Sequence, residues 1–228
     1  MRNVDRPNTP KSLENNAPKW TKKLLDAIAK HHADGTPIDA NLYKAYSKKD
    51  VLATLKTMYS DDEGLCFCCY CESEIDKVDF PHIEHRKPKA KDLFPESTFD
   101  WNNLHLACQK CNIAKGDKYD VNSPILDSVA DLPIKTHLSY KVSTTKGIYR
   151  ETLSSRGVTT VKHADLDRKT LRDARLKVFL EVTEAIREIL RLANDPRTYT
   201  YKKILRDKCA GEYGSLIEWL LDDYGIIA

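Results

Sequence analysis

The 228-residue sequence predicts an α+β chain, with a small metal-stabilised core at residues 61–122 between mainly helical segments at 1–60 and 123–228. Three observations predict it. Pairs of Cys-x-x-Cys bracket a charged insert in the middle of the chain. Apolar residues recur at helical spacing on both sides of that insert, and residues 138–153 alternate in the manner of a hairpin.

Up to residue 19, Pro and Asn residues favour an extended arm or loop. Over 20–31, Trp20, Leu24, Leu25 and Ile28 recur at helical spacing, and Asp34-Gly35 ends the pattern. His31 and His32 fall at the end of that helix, where a cation suits the dipole. A second helix starts at Ser47 as N-cap, with Val51, Leu52, Leu55 and Met58 on its buried face.

Beyond the core, the hairpin turns at Thr144-Thr145-Lys146-Gly147. Asp167 or Thr170 caps a long helix with Leu171, Val178, Phe179, Val182, Ile186, Ile189 and Leu190 along one stripe. That face is wide enough to require burial in this chain or against another. Asn194-Asp195-Pro196 breaks the helix, and two short helices at 199–208 and 213–224 close the chain.

Composition is 41% apolar and 31% charged, without an apolar run near the length of a membrane span, so no membrane role is expected. The first 20 residues hold no apolar stretch of the secretory kind. Seven cysteines, most at metal-ligand spacing, fit a reduced cytoplasmic setting. Charge is uneven: residues 1–60 carry 11 Lys/Arg against 6 Asp/Glu, and residues 61–120 carry 8 against 13. A partner polyanion would therefore be met by bound cations, the flanks or a second chain rather than by the core alone.

In Cys-Phe-Cys-Cys-Tyr-Cys, both Cys66/Cys69 and Cys68/Cys71 have knuckle spacing, and Cys108/Cys111 forms the second knuckle. Four thiolates at about 2.3 Å satisfy tetrahedral zinc, so a structural Zn²⁺ is expected. The insert holds Glu84-His85, followed by Arg86, Lys87, Lys89 and Lys91 and then Asn103, and after the second knuckle begins come Asn112 and Lys115. A purely structural zinc site needs none of these. Glu84 and the Asn112 amide supply oxygen donors for a hard divalent cation, and an imidazole such as His85 takes a proton from water near neutral pH. The basic run would contact phosphates.

These residues resemble the HNH endonucleases of the ββα-metal, treble-clef kind. The resemblance favours Cys68/Cys71 as the first knuckle, because Cys-x-Tyr-Cys is the family's commoner form. It implies His85 as general base, Glu84 and Asn112 as ligands of a catalytic Mg²⁺ or Mn²⁺, and Asn103 as the residue that orients the catalytic loop through backbone hydrogen bonds. Asn112 stands where a His is frequent, an H-N-N variant. Lys115, in Cys-Asn-x-x-Lys-Gly, is implied at the scissile phosphate. His82 is expected to be structural or solvent-exposed, and His105 to flank the zinc knuckle without touching substrate. Glu84-His85-x-x-Pro-Lys within helical flanks is similar to the PtuB-like nucleases of Septu and retron-linked antiphage systems, which act on nucleic acid, DNA or RNA, with an ATPase subunit, PtuA. The competing expectation is a zinc-dependent nucleic-acid or protein-binding module without catalysis.

Overall fold

A computed structural model describes residues 1–46, 48–78, 80–192 and 195–226. Helix α1 (Lys11–Asp34) and helix α2 (Lys48–Met58) precede the core. The core holds the short α3 (Ile75–Val78), strand β1 (His82–His85), strand β2 (Leu104–Ala107) and α4 (Gln109–Lys115). The hairpin β3 (Leu138–Ser143) and β4 (Gly147–Thr152) follows, then α5 (Ser155–His163), α6 (Lys169–Arg191), α7 (Arg197–Cys209) and α8 (Gly214–Asp223). Mixed helices and two small sheets give the α+β class. No helix among the described residues is long and apolar enough to cross a membrane.

α1 starts at Lys11, eight residues before the end of what the Pro/Asn content marked as an extended arm up to residue 19. Pro18 lies inside it and removes one helical N–H. Tertiary contacts offset that loss: Leu13 is fully buried, and Asp50 of α2 accepts the Ser12 N–H at 2.8 Å, acting as a cap supplied from another helix. The other end is as the sequence indicates, with Gly35 left-handed at φ 76° and its N–H on the His31 carbonyl. Leu24 and Ile28 are buried, whereas Leu25 stands partly exposed. Ser47, expected to cap α2, lies outside the described residues; Val51, Leu55 and Met58 do face the core.

β1 and β2 pair antiparallel, placing Glu84 opposite His105 and His85 opposite Leu104. α4 follows β2 directly and packs back on β1, completing a ββα unit. The 138–152 hairpin forms as expected, and Gly147 takes φ 75° at its turn, a conformation that L side chains resist. α5 was not anticipated: its Gly and β-branched residues read poorly as a helix, yet the Ser154 hydroxyl caps it by accepting the Gly157 N–H. Gly157 is also required sterically, since a Cβ there would meet the His137 carbonyl oxygen.

Neither Asp167 nor Thr170 caps α6; Arg168 is its N-cap residue. The Asp167 carboxylate is committed elsewhere, to the Arg150 N–H at 2.8 Å and to Arg175 at 3.3 Å. Leu171, Val182, Ile186 and Ile189 are buried against β4, α7 and α8, while Leu190 is half exposed. Asn194 is outside the described residues, and α7 resumes after Pro196.

The three segments share one hydrophobic core that runs from Leu24 and Leu55 through Tyr70, Leu104 and Leu106 to Tyr140, Ile186 and Leu216. Glu72, left-handed at φ 64° just after the first knuckle, fastens this arrangement. Its carboxylate takes the Ser215 N–H of α8 and the Arg150 guanidinium of β4, both at 2.9 Å. The Met1 ammonium and the Arg150 and Arg2 guanidinium groups outweigh burial and hold its pKa well below the usual carboxylate range.

Candidate functional site

The two knuckles meet beneath the ββα unit. Cys68 and Cys71 bracket a turn closed by the Glu72 N–H on the Cys68 carbonyl, whereas Cys108 is the N-cap residue of α4 and Cys111 lies in its first turns. The four Sγ atoms lie within 4.8 Å of one another, all buried, with Cys71 and Cys108 3.8 Å apart. Four sulfurs at tetrahedral angles and about 2.3 Å from one ion stand about 3.8 Å apart, so spacing and donor type fit zinc. Of the two possible first pairs, Cys68/Cys71 is the one whose sulfurs join Cys108/Cys111. Cys66 turns away to the Ser60 hydroxyl at 3.4 Å, and Cys69 is buried outside the cluster, its thiol pKa raised by burial.

Alternation along β1 sends its two chemical residues to different surroundings. Glu84 is 3% exposed and pairs with the Lys115 ammonium at 2.7 Å, while the Tyr70 hydroxyl donates to the same oxygen, Oε1, at 3.3 Å. Burial raises the Glu84 pKa and Lys115 opposes the rise. His85 is 7% exposed, and its Nε2 lies 3.1 Å from the Thr98 carbonyl oxygen. A carbonyl only accepts, so Nε2 carries the proton and Nδ1 keeps its lone pair. Burial, then the nearby Lys89, pushes the His85 pKa down to about 3, leaving the ring neutral near pH 7.

Asn103 uses its whole amide on the loop that follows β1. Oδ1 accepts the Lys87 N–H at 2.7 Å, and Nδ2 donates to the Lys87 and Ser97 carbonyls, both at 3.0 Å. The Asn103 carbonyl takes the Arg86 N–H at 3.0 Å. One side chain thus ties residues 86–97, and with them Thr98, to the start of β2.

Lys115, expected at the scissile phosphate, is instead 1% exposed and turned inward. Besides Glu84 it donates to the His85 carbonyl at 2.7 Å and the Gly116 carbonyl at 3.3 Å, so its charge is spent on holding β1 to α4. Arg86, expected on phosphate, pairs with Asp127 at 3.3 Å and donates to the Ile125 carbonyl at 3.2 Å. Lys87 lies with its ammonium 5.8 Å from the Phe94 ring centroid, and Lys89 is half-buried near His85. Asn112 is half-buried on α4, one turn before Lys115, and Lys115 reaches Glu84. The oxygen donors of Glu84 and Asn112 suit a hard divalent cation by type.

Several contributors escaped sequence reading. Thr98 acts only through its carbonyl, which no side-chain pattern reveals. Tyr70 is visible as the third residue of the knuckle, but its reach to Glu84 depends on the fold. His82 is half-buried on β1 opposite Ala107. His105 is structural: Nδ1 lies 2.6 Å from the Tyr59 hydroxyl, which also meets Ser128 at 2.8 Å, and Nε2 faces Asp127 at 3.7 Å.

Two antiparallel strands and a helix closed by a four-cysteine cluster, with Glu-His on the first strand, define a ββα unit, and residues 68–118 match the HNH endonuclease family model. The chain is further similar to Septu protein PtuB. It is 28% identical to that of Bacillus thuringiensis over 134 residues, 58% of this chain and 44% of the relative. It is 32% identical to that of Bacillus mycoides over 89 residues, 34% of this chain and 28% of the relative. The matched region spans less than half the length of either relative.

Proposed function

We propose that this chain is a metal-dependent endonuclease that hydrolyses nucleic-acid phosphodiester bonds. In this reading it is the nuclease of an antiphage defence system and works with an ATPase subunit of the PtuA kind. The observation that carries the catalytic part is His85, which follows Glu84 on β1 and whose Nε2–H is committed to Thr98 while Nδ1 keeps its lone pair. A structural histidine, such as His105, has partners at both nitrogens.

In the proposed reaction His85 Nδ1 takes a proton from the water that attacks phosphorus in line, and the bond to the leaving 3′ oxygen breaks. When bound by Glu84 and Asn112, Mg²⁺ or Mn²⁺ would supply Lewis-acid stabilisation of the phosphate and leaving oxygen. Glu84 would ligate through Oε2, since Lys115 and Tyr70 both engage Oε1. Lys115 is then a positioning residue that holds Glu84 and the His85 backbone. Lys87 and Lys89, with the flanks, offset the acidity of the core toward a polyanion. The four-cysteine cluster holds a structural Zn²⁺ and has no part in the proton transfer.

The defence role rests on the similarity to Septu PtuB, and the ATPase partner on what that resemblance implies. Two measurements test the proposal. Zinc-loaded protein should cut supercoiled plasmid or RNA only when Mg²⁺ or Mn²⁺ is added. Co-expression with an ATPase subunit of the PtuA kind should give one species on size-exclusion chromatography. Intact binding of nucleic acid without cleavage under any divalent cation would return the reading to a zinc-dependent binding module.

A further inference from the structure

α6 begins beside the cysteine cluster, and its first turns carry Arg168, Arg172 and Arg175 at i, i+4 and i+7, along one face. Arg175 is fully buried and the other two are half-buried. In all three the Nε atom is sealed from water without a hydrogen-bond partner. Three guanidinium groups in such surroundings are costly unless negative charge lies nearby. Asp167 meets Arg175 at 3.3 Å, and for Arg168 the neighbouring acceptor is sulfur.

Arg168 Nη1 lies 3.5 Å from Cys111 Sγ and also donates to the Asp165 carbonyl at 3.0 Å. Asp165 takes the left-handed conformation, φ 48°, in the turn that leads into α6. On the opposite knuckle the Ser73 hydroxyl lies 3.3 Å from Cys71 Sγ and 2.9 Å from the Tyr213 hydroxyl. Four thiolates around a dication leave a net charge of about −2 in a buried site, and outer donors are what stabilise such a centre. Here the cationic donor comes from the C-terminal segment.

We propose that Arg168 is an outer-sphere partner of the metal–thiolate cluster, donating N–H to Cys111 Sγ and compensating part of its negative charge, so that metal retention depends on α6. The proposal rests on the zinc reading of the cluster and goes beyond it: the nuclease core and the C-terminal helices are joined through the metal site and not by apolar packing alone.

The test is competition for zinc with a chromophoric chelator, on the full chain, for wild type, Arg168→Met, Arg168→Lys and Lys169→Met. Loss of an outer-sphere donor lowers metal affinity by about 10–100-fold. Arg168→Met should show that loss. Lys169→Met removes the same charge from the adjacent, largely exposed side chain, which pairs with Asp173, and should match wild type. In Co²⁺-substituted protein the thiolate-to-cobalt charge-transfer band should move to lower energy in Arg168→Met, a change that a merely structural arginine would not cause. If Arg168→Met does not fold, Arg168→Lys carries the test: one ammonium cannot reproduce the planar group that meets both Asp165 and Cys111, so the band should still move, with less than 10-fold loss of affinity. Wild-type affinity with an unmoved band in the variant tested overturns the proposal. Wild type that binds no zinc overturns the zinc reading and this inference with it.

Discussion

Replacing Asn103 by Ala removes three hydrogen bonds from a side chain that is only 3% exposed. Water can reach Lys87, which is half-buried, but the Ser97 carbonyl is in a buried residue and would lose its partner outright. A buried polar group left unpaired costs about 1–3 kcal/mol, and an ordinary hydrogen bond about 1 kcal/mol. The total is about 3–5 kcal/mol, which for a chain of this length lowers the melting midpoint by roughly 6–20 °C. Calorimetry on zinc-loaded protein measures it, with cleavage assayed in parallel, since the loop that carries Thr98 loses its tie to β2. Asn103→Asp sharpens the test. It keeps an acceptor for the Lys87 N–H but turns a carboxylate oxygen toward two carbonyl oxygens, so it should be at least as destabilising as Ala. An Asn103→Asp variant as stable as wild type would refute the assignment of Asn103 as the clamp of this loop.

The remaining predictions use the same geometry. Cys111→Ser should lose stoichiometric zinc and the cooperative melting of the core, whereas Cys66→Ser should keep both; metal analysis of the two proteins decides it. Lys115→Met strips a buried carboxylate of its cation and should cost about 3–5 kcal/mol in urea unfolding, much of it recovered when Glu84→Gln is added; an unchanged midpoint in the single variant counts against the ion pair. Burial, with Asp127 opposing, pushes the His105 pKa down to about 3. The unfolded chain binds a proton at this residue near pH 6.5 and the folded chain does not, so His105 makes stability fall as pH drops from about 6.5 toward 3. Between pH 6.5 and 5.5 the contribution is about 1 kcal/mol, and His105→Gln should lack that part of the slope.

Much of the site was legible because it is local in sequence. The knuckle spacing, Glu84-His85 and the following Asn-Leu and Cys-Asn-x-x-Lys are short-range patterns, and folding brings them together through one strand pair and one helix. The preference for Cys68/Cys71 over Cys66/Cys69 came from the family's knuckle form, and the sulfur positions agree with it. The destinations of long cationic side chains were not legible. Arg86 read as a phosphate ligand by charge and Lys115 by the family resemblance, but their targets, Asp127 and Glu84, lie 41 and 31 residues away in the chain. The same limit explains the start of α1, where Asp50 caps a helix that local composition argues against. α6 was found from its apolar stripe, but nothing in the sequence says that the arginine at its start reaches a cysteine cluster.

The most direct measurement is the single-turnover cleavage rate of His85→Ala, taken with its zinc content and melting temperature. The side chain makes one described hydrogen bond, to Thr98, and holds no cysteine ligand in place. Zinc content should therefore be unchanged and melting little affected, while cleavage falls by about 10²–10⁴-fold, the range of a general base, and nucleic-acid binding survives. Cleavage at the wild-type rate by a folded, zinc-loaded His85→Ala protein would contradict the proposed mechanism.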